Sequence, residues 1–500
     1  MGRYIFFIGG SGARAYKAFL HCCAAGVIQQ DSVEVLLLDA DQKNKANIDC
    51  SELYKAYDYH RSILSNQNVD EFKCKITMNT EKAVSPVNHD ISYLEQVTGQ
   101  DSTELRVMSW LYTKEERTQK LEKGFYAHPN IGCVFFQDIQ NKRFLSCLRK
   151  IKSELNSDSA ESVDVALVGS IFGGTGASGI PCILKSIYDY LGREVLAKRF
   201  EKLHLGGVLI TPYFKIPEKK DDDDDIVISD QDFYFNTKES LKYYRFFMQE
   251  GMDKTQEHFN SIYVVGQNEL DVVNSTYADG GENQENKPHI VELYAALALK
   301  QFFEKPEKEG IWGSINSDDF KWDTFAKDLY ALAGMIRAQV VFANAIYPYV
   351  IQERILEKNR NIMVPQWYKI YHLKESENQE KIEKVNNYST LLLGWTYGIQ
   401  SVMETDGSFA LNNRVHLCGG VIQDIGKQAA IKKDIKKDNK IHKKILKQFN
   451  HVIDTTSNIE YAFDKVILIL SILGVVPKEV ALGGCAALLV RLFGLVKKQK

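Results

Sequence analysis

Short apolar runs alternate with longer amphipathic stretches through the first half of the chain. Arg3–Ile8 reads as a first buried strand and Ala13–Ala25 as the helix behind it, while Val33–Leu38 is a second strand that ends in Asp39 and Asp41. Val163–Ser170 is another, leading through a run of glycines into a helix over about Ile180–Leu191, and Leu203–Thr211 and Ser261–Val265 complete the set. Strands that are apolar along their whole length are those covered on both faces, so the pattern predicts an α/β fold with a parallel sheet between two layers of helices. Ligands of such sheets bind beyond the carboxyl ends of the strands, where the polar and glycine-rich stretches fall here.

Between Cys50 and Glu161 the text turns polar and mixed; helices are expected around Thr113–Lys123 and Phe144–Leu155, and the whole stretch reads as an insertion. Lys219–Asp225 (KKDDDDD) reads as a solvated loop in preference to a metal site. Pro288 followed by HIVELYAALALKQFFE predicts a long apolar helix with proline in its first turn, buried on most sides and dividing the chain. Asp323–Glu353 and Leu391–Met403 are again helical by periodicity, which makes the second half α-rich. Near the end, Ile431–Lys447 carries eight lysines and is followed by two apolar segments, Val466–Val476 and Val480–Val496. The first is too short to span a bilayer, and the second contains Gly483, Gly484 and Arg491. A packed helical hairpin is expected, with membrane contact through the basic stretch and the apolar hairpin as the alternative.

Composition narrows the function classes. With 500 residues, 44% hydrophobic and 25% charged, the chain is long enough for two or more packed domains. A net charge of -3 provides no general attraction to nucleic acid, so any polyanion must be held locally. The nine cysteines are scattered, odd in number and without a CxxC pair, which points to reduced thiols in a cytoplasmic protein. The opening MGRYIFFIGGSG has the look of a core strand meeting glycines, not of a secretion signal.

The chemistry concentrates in Asp164–Pro181, DVALVGSIFGGTGASGIP. There a strand runs into Gly173, Gly174, Thr175, Gly176, Ala177 and Gly179 and then into a helix. Glycines let backbone N–H groups approach an anion, the helix N-terminus adds partial positive charge, and Thr175 offers a hydroxyl. Phe7–Tyr16 (FIGGSGARAY) repeats the arrangement with Gly9, Gly10, Ser11, Gly12 and Ala13. Two cradles on neighbouring strands suit a di- or triphosphate. Neither is a Walker loop, which would need GxxxxGK[ST], and the first only approximates the dinucleotide fingerprint GxGxxG.

The run from Gly173 to Gly179 is similar to the GGGTG[ST]G loop of the tubulin/FtsZ superfamily, and GGSGA resembles that family's first phosphate loop. VEVLLLDADQKN, GVLITPYF and IYVVGQNEL resemble its later strands in the same order, and the helix after Pro288 its central helix. The likeness extends from the start of the chain to about Phe303 and looks closer to the divergent bacterial tubulin-like proteins than to cell-division FtsZ. It implies a Rossmann-like GTPase domain over 1–285 with an insertion at about 50–160, a central helix at 286–305, an α-rich domain at 306–450 and an apolar C-terminal hairpin at 451–500. It further implies GTP or GDP with Mg²⁺, assembly of the chain with copies of itself, Asp39 and Asp41 near the nucleotide, a ribose contact from Asn268, and base recognition from His289, with Glu292 and Tyr294 also candidates. Hydrolysis in this family is completed between subunits, which makes Asp318, Asp319 and Asp323 the water-orienting candidates. Departures are visible too. Phe172 and Ser178 replace loop glycines, Arg14 stands near an expected asparagine, and no glycine-rich γ-phosphate loop is evident between Cys50 and Glu161. Nucleotide binding is thus better supported than turnover.

Two other readings stay open. A catalytically silent tubulin-like scaffold or defence effector would direct the C-terminal hairpin to a membrane. A Rossmann-type dinucleotide enzyme would use Asp39 or Asp41 to hold a ribose.

Overall fold

The computed structural model of the chain describes residues 2–78, 82–87, 91–97, 103–137, 139–158, 162–217, 229–246, 258–267, 270–273, 280–306 and 310–314, scattered positions in 331–347, then 372–373, 375–406 and 485–497. The chain divides into two compact units, the first made of Met1–Phe19, Gln30–Glu52 and Lys75–Phe320, the second of Leu20–Gln29, Leu53–Cys74 and Lys321–Lys500.

The first unit is built on one seven-stranded sheet in which every pairing is parallel, with strands β1 (Gly2–Ile8), β2 (Ser32–Leu38), β3 (Lys75–Met78), β4 (Val163–Ser170), β5 (Leu203–Ile210), β6 (Ser261–Val265) and β7 (Gly310–Ser314) in the order β3-β2-β1-β4-β5-β6-β7. The direction of winding reverses between β1 and β4, and in open α/β sheets that reversal opens a crevice at the strands' carboxyl ends. Side chains alternate across the sheet. Tyr4, Phe6 and Ile8 join one apolar core with Val163, Val165 and Leu167, into which α5 (Pro129–Phe136), α6 (Lys142–Asn156) and α7 (Gly174–Leu191) pack through residues such as Phe136, Phe144 and Ile183. Phe7, of the opposite parity, meets Tyr16 and Phe19 of α1 (Gly9–Ala24) on the other face. Gly206 of β5 also faces that side, against Phe302 of α10 (Ile290–Glu304).

Several expectations need revision. The helices after β1 and β4 begin at Gly9 and Gly174, not at Ala13 and about Ile180, so glycines expected in loops form first helical turns. Gly9 makes this possible by reversing the chain at φ +72, a conformation open to glycine. Pro181 lies inside α7, where its ring forfeits one backbone bond without ending the helix. Pro288 precedes the N-cap His289 and is therefore outside the first turn of α10, which is nevertheless buried along nearly its whole length. Within the stretch after Cys50, Leu53–Cys74 belongs to the second unit, Lys75–Met78 is the edge strand β3, and the helix expected around Phe144–Leu155 is α6, whose Phe144, Ile151 and Leu155 lie in the core of the sheet unit. Around Thr113–Lys123 the chain forms two short helical turns, Lys114–Thr118 and Leu121–Lys123.

The second unit gathers the end of α1, much of α2 (Lys45–Leu64), α11 (Ser376–Asp406) and α12 (Cys485–Lys497). A cluster of rings fills it: His60 stacks on Phe72 at 4.7 Å, both meet Tyr388, and His21 Nδ1 lies 3.2 Å from the Tyr388 hydroxyl. Burial lowers the His60 imidazole to about 4, which keeps it neutral within this apolar cluster. The α12 helix buries Leu488, Leu489, Leu492 and Phe493. Among the described residues no helix is long and apolar enough to cross a membrane. Lys219–Asp225, Ile431–Lys447, Val466–Val476 and most of Asp323–Glu353 lie outside the described residues.

The absence of a side chain at Gly206 sets how closely α10 approaches the sheet, since a Cβ there would fall 2.8 Å from the Phe302 ring. Gly206→Ala is expected to lower stability by about 1–3 kcal/mol, the usual cost of overpacking a close-packed core. Chemical denaturation followed by circular dichroism measures it, and an unchanged midpoint would show that α10 has room to shift.

Candidate functional site

The two glycine-rich segments meet at the crevice between β1 and β4. A Cβ on Gly9 would lie 3.2 Å from Thr175 Cβ and 3.4 Å from the Gly176 nitrogen, so the first turns of α1 and α7 abut. Neither helix carries an acidic residue in its first turn, and the N-cap Gly173 gives α7 no side-chain cap. Each N-terminus bears a partial positive charge from its aligned peptide dipoles, about half an elementary charge. Two such ends side by side, without a carboxylate in either first turn, form a local positive field suited to a phosphate chain.

The remaining glycines divide by what they touch. Gly12 is pressed onto the sheet, where a Cβ would stand 3.0 Å from the Phe7 carbonyl carbon and 3.0 Å from the Val168 oxygen. Gly176 packs on the Ser170 backbone and Gly174 against Phe125. Gly10, Gly173 and Thr175 keep partial exposure, whereas Ala13 and Ala177 are buried, so the first three are the positions a ligand can reach.

Asp41 organises the rim. Its Oδ2 accepts the Gly281 N–H at 2.6 Å, its Oδ1 accepts the Lys43 N–H at 3.2 Å, and its backbone oxygen accepts the Asn47 side-chain amide at 3.0 Å. Gly124, at φ +95, lies between Asp41 and Thr175, and a Cβ there would fall 3.9 Å from Asp41 Cβ and 3.7 Å from Thr175 Oγ1. Asn44 holds the other side, its amide donating to Gln284 at 2.7 Å and facing Gly10. Three segments distant in sequence thus ring the two helix ends. None of Asn44, Gly124, Gly280 and Gly281 was singled out by sequence; the Gly280–Gly281 pair is a turn signal, but an isolated Gly124 in a polar stretch carries none.

Asp39 turns inward. Its Oδ1 accepts from the Asp41 N–H at 3.2 Å and its Oδ2 from the Asn47 amide at 2.9 Å. Burial pushes its carboxyl up to about 7 despite these bonds, and burial likewise raises Asp41. Ser11 is also engaged, accepting at 3.1 Å from Arg14 Nη2. Arg14 is buried and donates through Nε to Glu292 Oε1 at 2.9 Å, while the Tyr213 hydroxyl donates to the same oxygen at 2.9 Å. The other Glu292 oxygen accepts the His289 N–H at 3.2 Å. His289 is fully buried: Nδ1 accepts the Val291 N–H at 3.1 Å, which leaves the proton on Nε2 to bond Asp271 at 2.7 Å. Nδ1 caps α10 and Nε2 is held by Asp271, so neither nitrogen is presented to a base. Asn268, Asp318, Asp319 and Asp323 lie outside the described residues.

The Arg14–Glu292 pair joins the start of α1 to the start of α10. Arg14→Met strands a buried carboxylate and is expected to cost about 3–5 kcal/mol in a denaturant melt, and adding Glu292→Gln to the same chain recovers a large part of that loss. Asp39 yields a pH signature. Its folded value of about 7 lies above the ordinary 3.8, so the folded chain retains the proton longer, and the resulting stabilisation is complete below pH 3.8 and lost as pH climbs to 7. The stability of Asp39→Asn relative to the natural chain should therefore rise across that window and level off above it; a flat difference from pH 4 to 8 would show that Asp39 is ionised throughout. No family model matches the chain, and no curated protein matches it either.

Proposed function

We propose that this chain binds a guanine nucleotide with Mg²⁺ and assembles with copies of itself, as a divergent tubulin-like protein. The observation that carries the reading is the abutment of Gly9 and Thr175, which sets the N-terminus of α1 beside the uncapped N-terminus of α7. The phosphates would take the N–H groups at Gly10, Gly173 and Thr175, with the Thr175 hydroxyl as a further donor. Mg²⁺ would draw its oxygens chiefly from phosphate and water, as it commonly does beside nucleotides. The choice of guanine, the ribose contact from Asn268 and the water-orienting role of Asp318, Asp319 or Asp323 at a subunit interface rest on the sequence likeness to the tubulin/FtsZ superfamily.

The order β3-β2-β1-β4-β5-β6 is also that of dinucleotide-binding sheets, which keeps a Rossmann-type enzyme as the second reading. That reading needs an acidic side chain at the end of β2 free to hold a ribose. Asp39 is 3% exposed and already bonded through both oxygens, which weighs against it.

Gly173 offers a test that separates binding from folding. Its backbone, at φ -87 and ψ 166, suits an ordinary N-cap residue, and a Cβ would meet Ser170 Oγ alone, at 3.1 Å. Gly173→Asp is expected to cap α7, leaving stability unchanged or raised by about 1 kcal/mol, while placing a carboxylate where phosphate would lie. Titration calorimetry with GTP, GDP and NAD should show guanine nucleotide binding to the natural chain and at least a tenfold loss in the variant, about 1.4 kcal/mol. Equal affinity in both proteins, or preference for NAD, would overturn the proposal. Sedimentation with and without GTP addresses assembly in the same preparation.

A further inference from the structure

Eight cysteines fall among the described residues, and six of them are buried. The other two, Cys133 on α5 and Cys182 on α7, are partly exposed, and their thiols lie within reach of each other. Their proximity is built into the backbone. Gly132 packs directly on Ser178, where any side chain at 132 would collide with the Ser178 hydroxyl, and a Cβ at Gly179 would lie 3.0 Å from the Phe136 ring. The two helices therefore cross with little between their main chains, one residue before Cys133 and one turn before Cys182. A disulfide needs Cα atoms within about 4.4–6.8 Å, a span that close helix crossings at glycine supply.

We propose that Cys133 and Cys182 form a redox-active dithiol, which a peroxide closes into an intramolecular disulfide tying α5 to α7. Cys133 is the attacking sulfur. A hydrogen bond from Cys182 favours its thiolate and lowers its thiol below the ordinary value, while the same bond and burial raise Cys182 and keep that partner protonated. In the first step the Cys133 thiolate attacks one oxygen of the peroxide; a sulfur–oxygen bond forms, the oxygen–oxygen bond breaks, and hydroxide leaves with the electron pair. This produces a sulfenic acid on Cys133. In the second step the Cys182 sulfur attacks the Cys133 sulfur, the sulfur–oxygen bond breaks, and the departing hydroxyl takes up the Cys182 proton as water. Both sulfurs are oxidised by one electron each, and the peroxide is reduced by two. The other six described cysteines are shielded by burial, which also raises Cys23, Cys50, Cys147 and Cys485. The inference is independent of which ligand the crevice takes.

The test uses the full chain treated with hydrogen peroxide, then alkylated and mapped without reductant. The expected result is the loss of two of the nine thiols, a single cross-linked peptide pair containing Cys133 and Cys182, and full recovery with dithiothreitol. Cys182→Ser should leave a sulfenic acid on Cys133 that dimedone traps, and Cys133→Ser should abolish both the trap and the cross-link. Recovery of both cysteines in alkylated form from folded, peroxide-treated protein would overturn the proposal, as would disulfides distributed over the buried cysteines. The map of the natural chain decides the matter even if a serine variant does not fold.

Discussion

Two helix N-termini held against each other are an electrostatic problem. Each carries a partial positive charge and donors without intrahelical acceptors, and bringing them together is unfavourable unless something negative lies close by. The first turns of α1 and α7 contain no acidic side chain, and Gly173 contributes no cap. The covalent connections of the sheet enforce this arrangement, because β1 and β4 are hydrogen-bonded neighbours and each helix starts within a few residues of its strand. An anion in the crevice would relieve the strain of charge. That is why the fold and the proposed ligand belong to one argument.

The surroundings show how the arrangement is kept in place without filling it. Acidic groups are present but turned to other work: Asp39 binds its own turn, Asp41 ties the end of β2 to Gly281, and Glu292 neutralises Arg14 beneath α1. The buried ion pair contributes little net stability beyond satisfying its own charges, yet removing either half would leave the other uncompensated, so it fixes the relation of α1 to α10. His289 plays a comparable part at the head of α10, where a capping role replaces the contact with a base that the family likeness suggested.

Legibility from sequence followed burial. β1, β2, β4, β5 and β6 were readable because strands covered on both faces are written as unbroken apolar runs. The edge strands β3 (KITM) and β7 (GIWGS) escaped notice, one for its polar residues and the other for its two glycines. In the site, both glycine segments announced themselves, since strand, glycine and helix are contiguous. The rim did not: Asp41 and Gly281 are 240 residues apart, and no local pattern records such a bond. Helix starts were misplaced because glycine was read as a breaker where it serves as the first turn.

The interleaving of the two units bears on how the chain is made. His21 meets Tyr388 across 367 residues of sequence. At ordinary ribosomal speeds of about 5–20 residues per second, tens of seconds pass between the emergence of these two side chains. Throughout that interval the apolar surfaces around His21, His60 and Phe72 have been synthesised while α11 and α12 have not. The second unit therefore closes only once its late helices have been made, and its early segments are natural clients for a holding chaperone during synthesis.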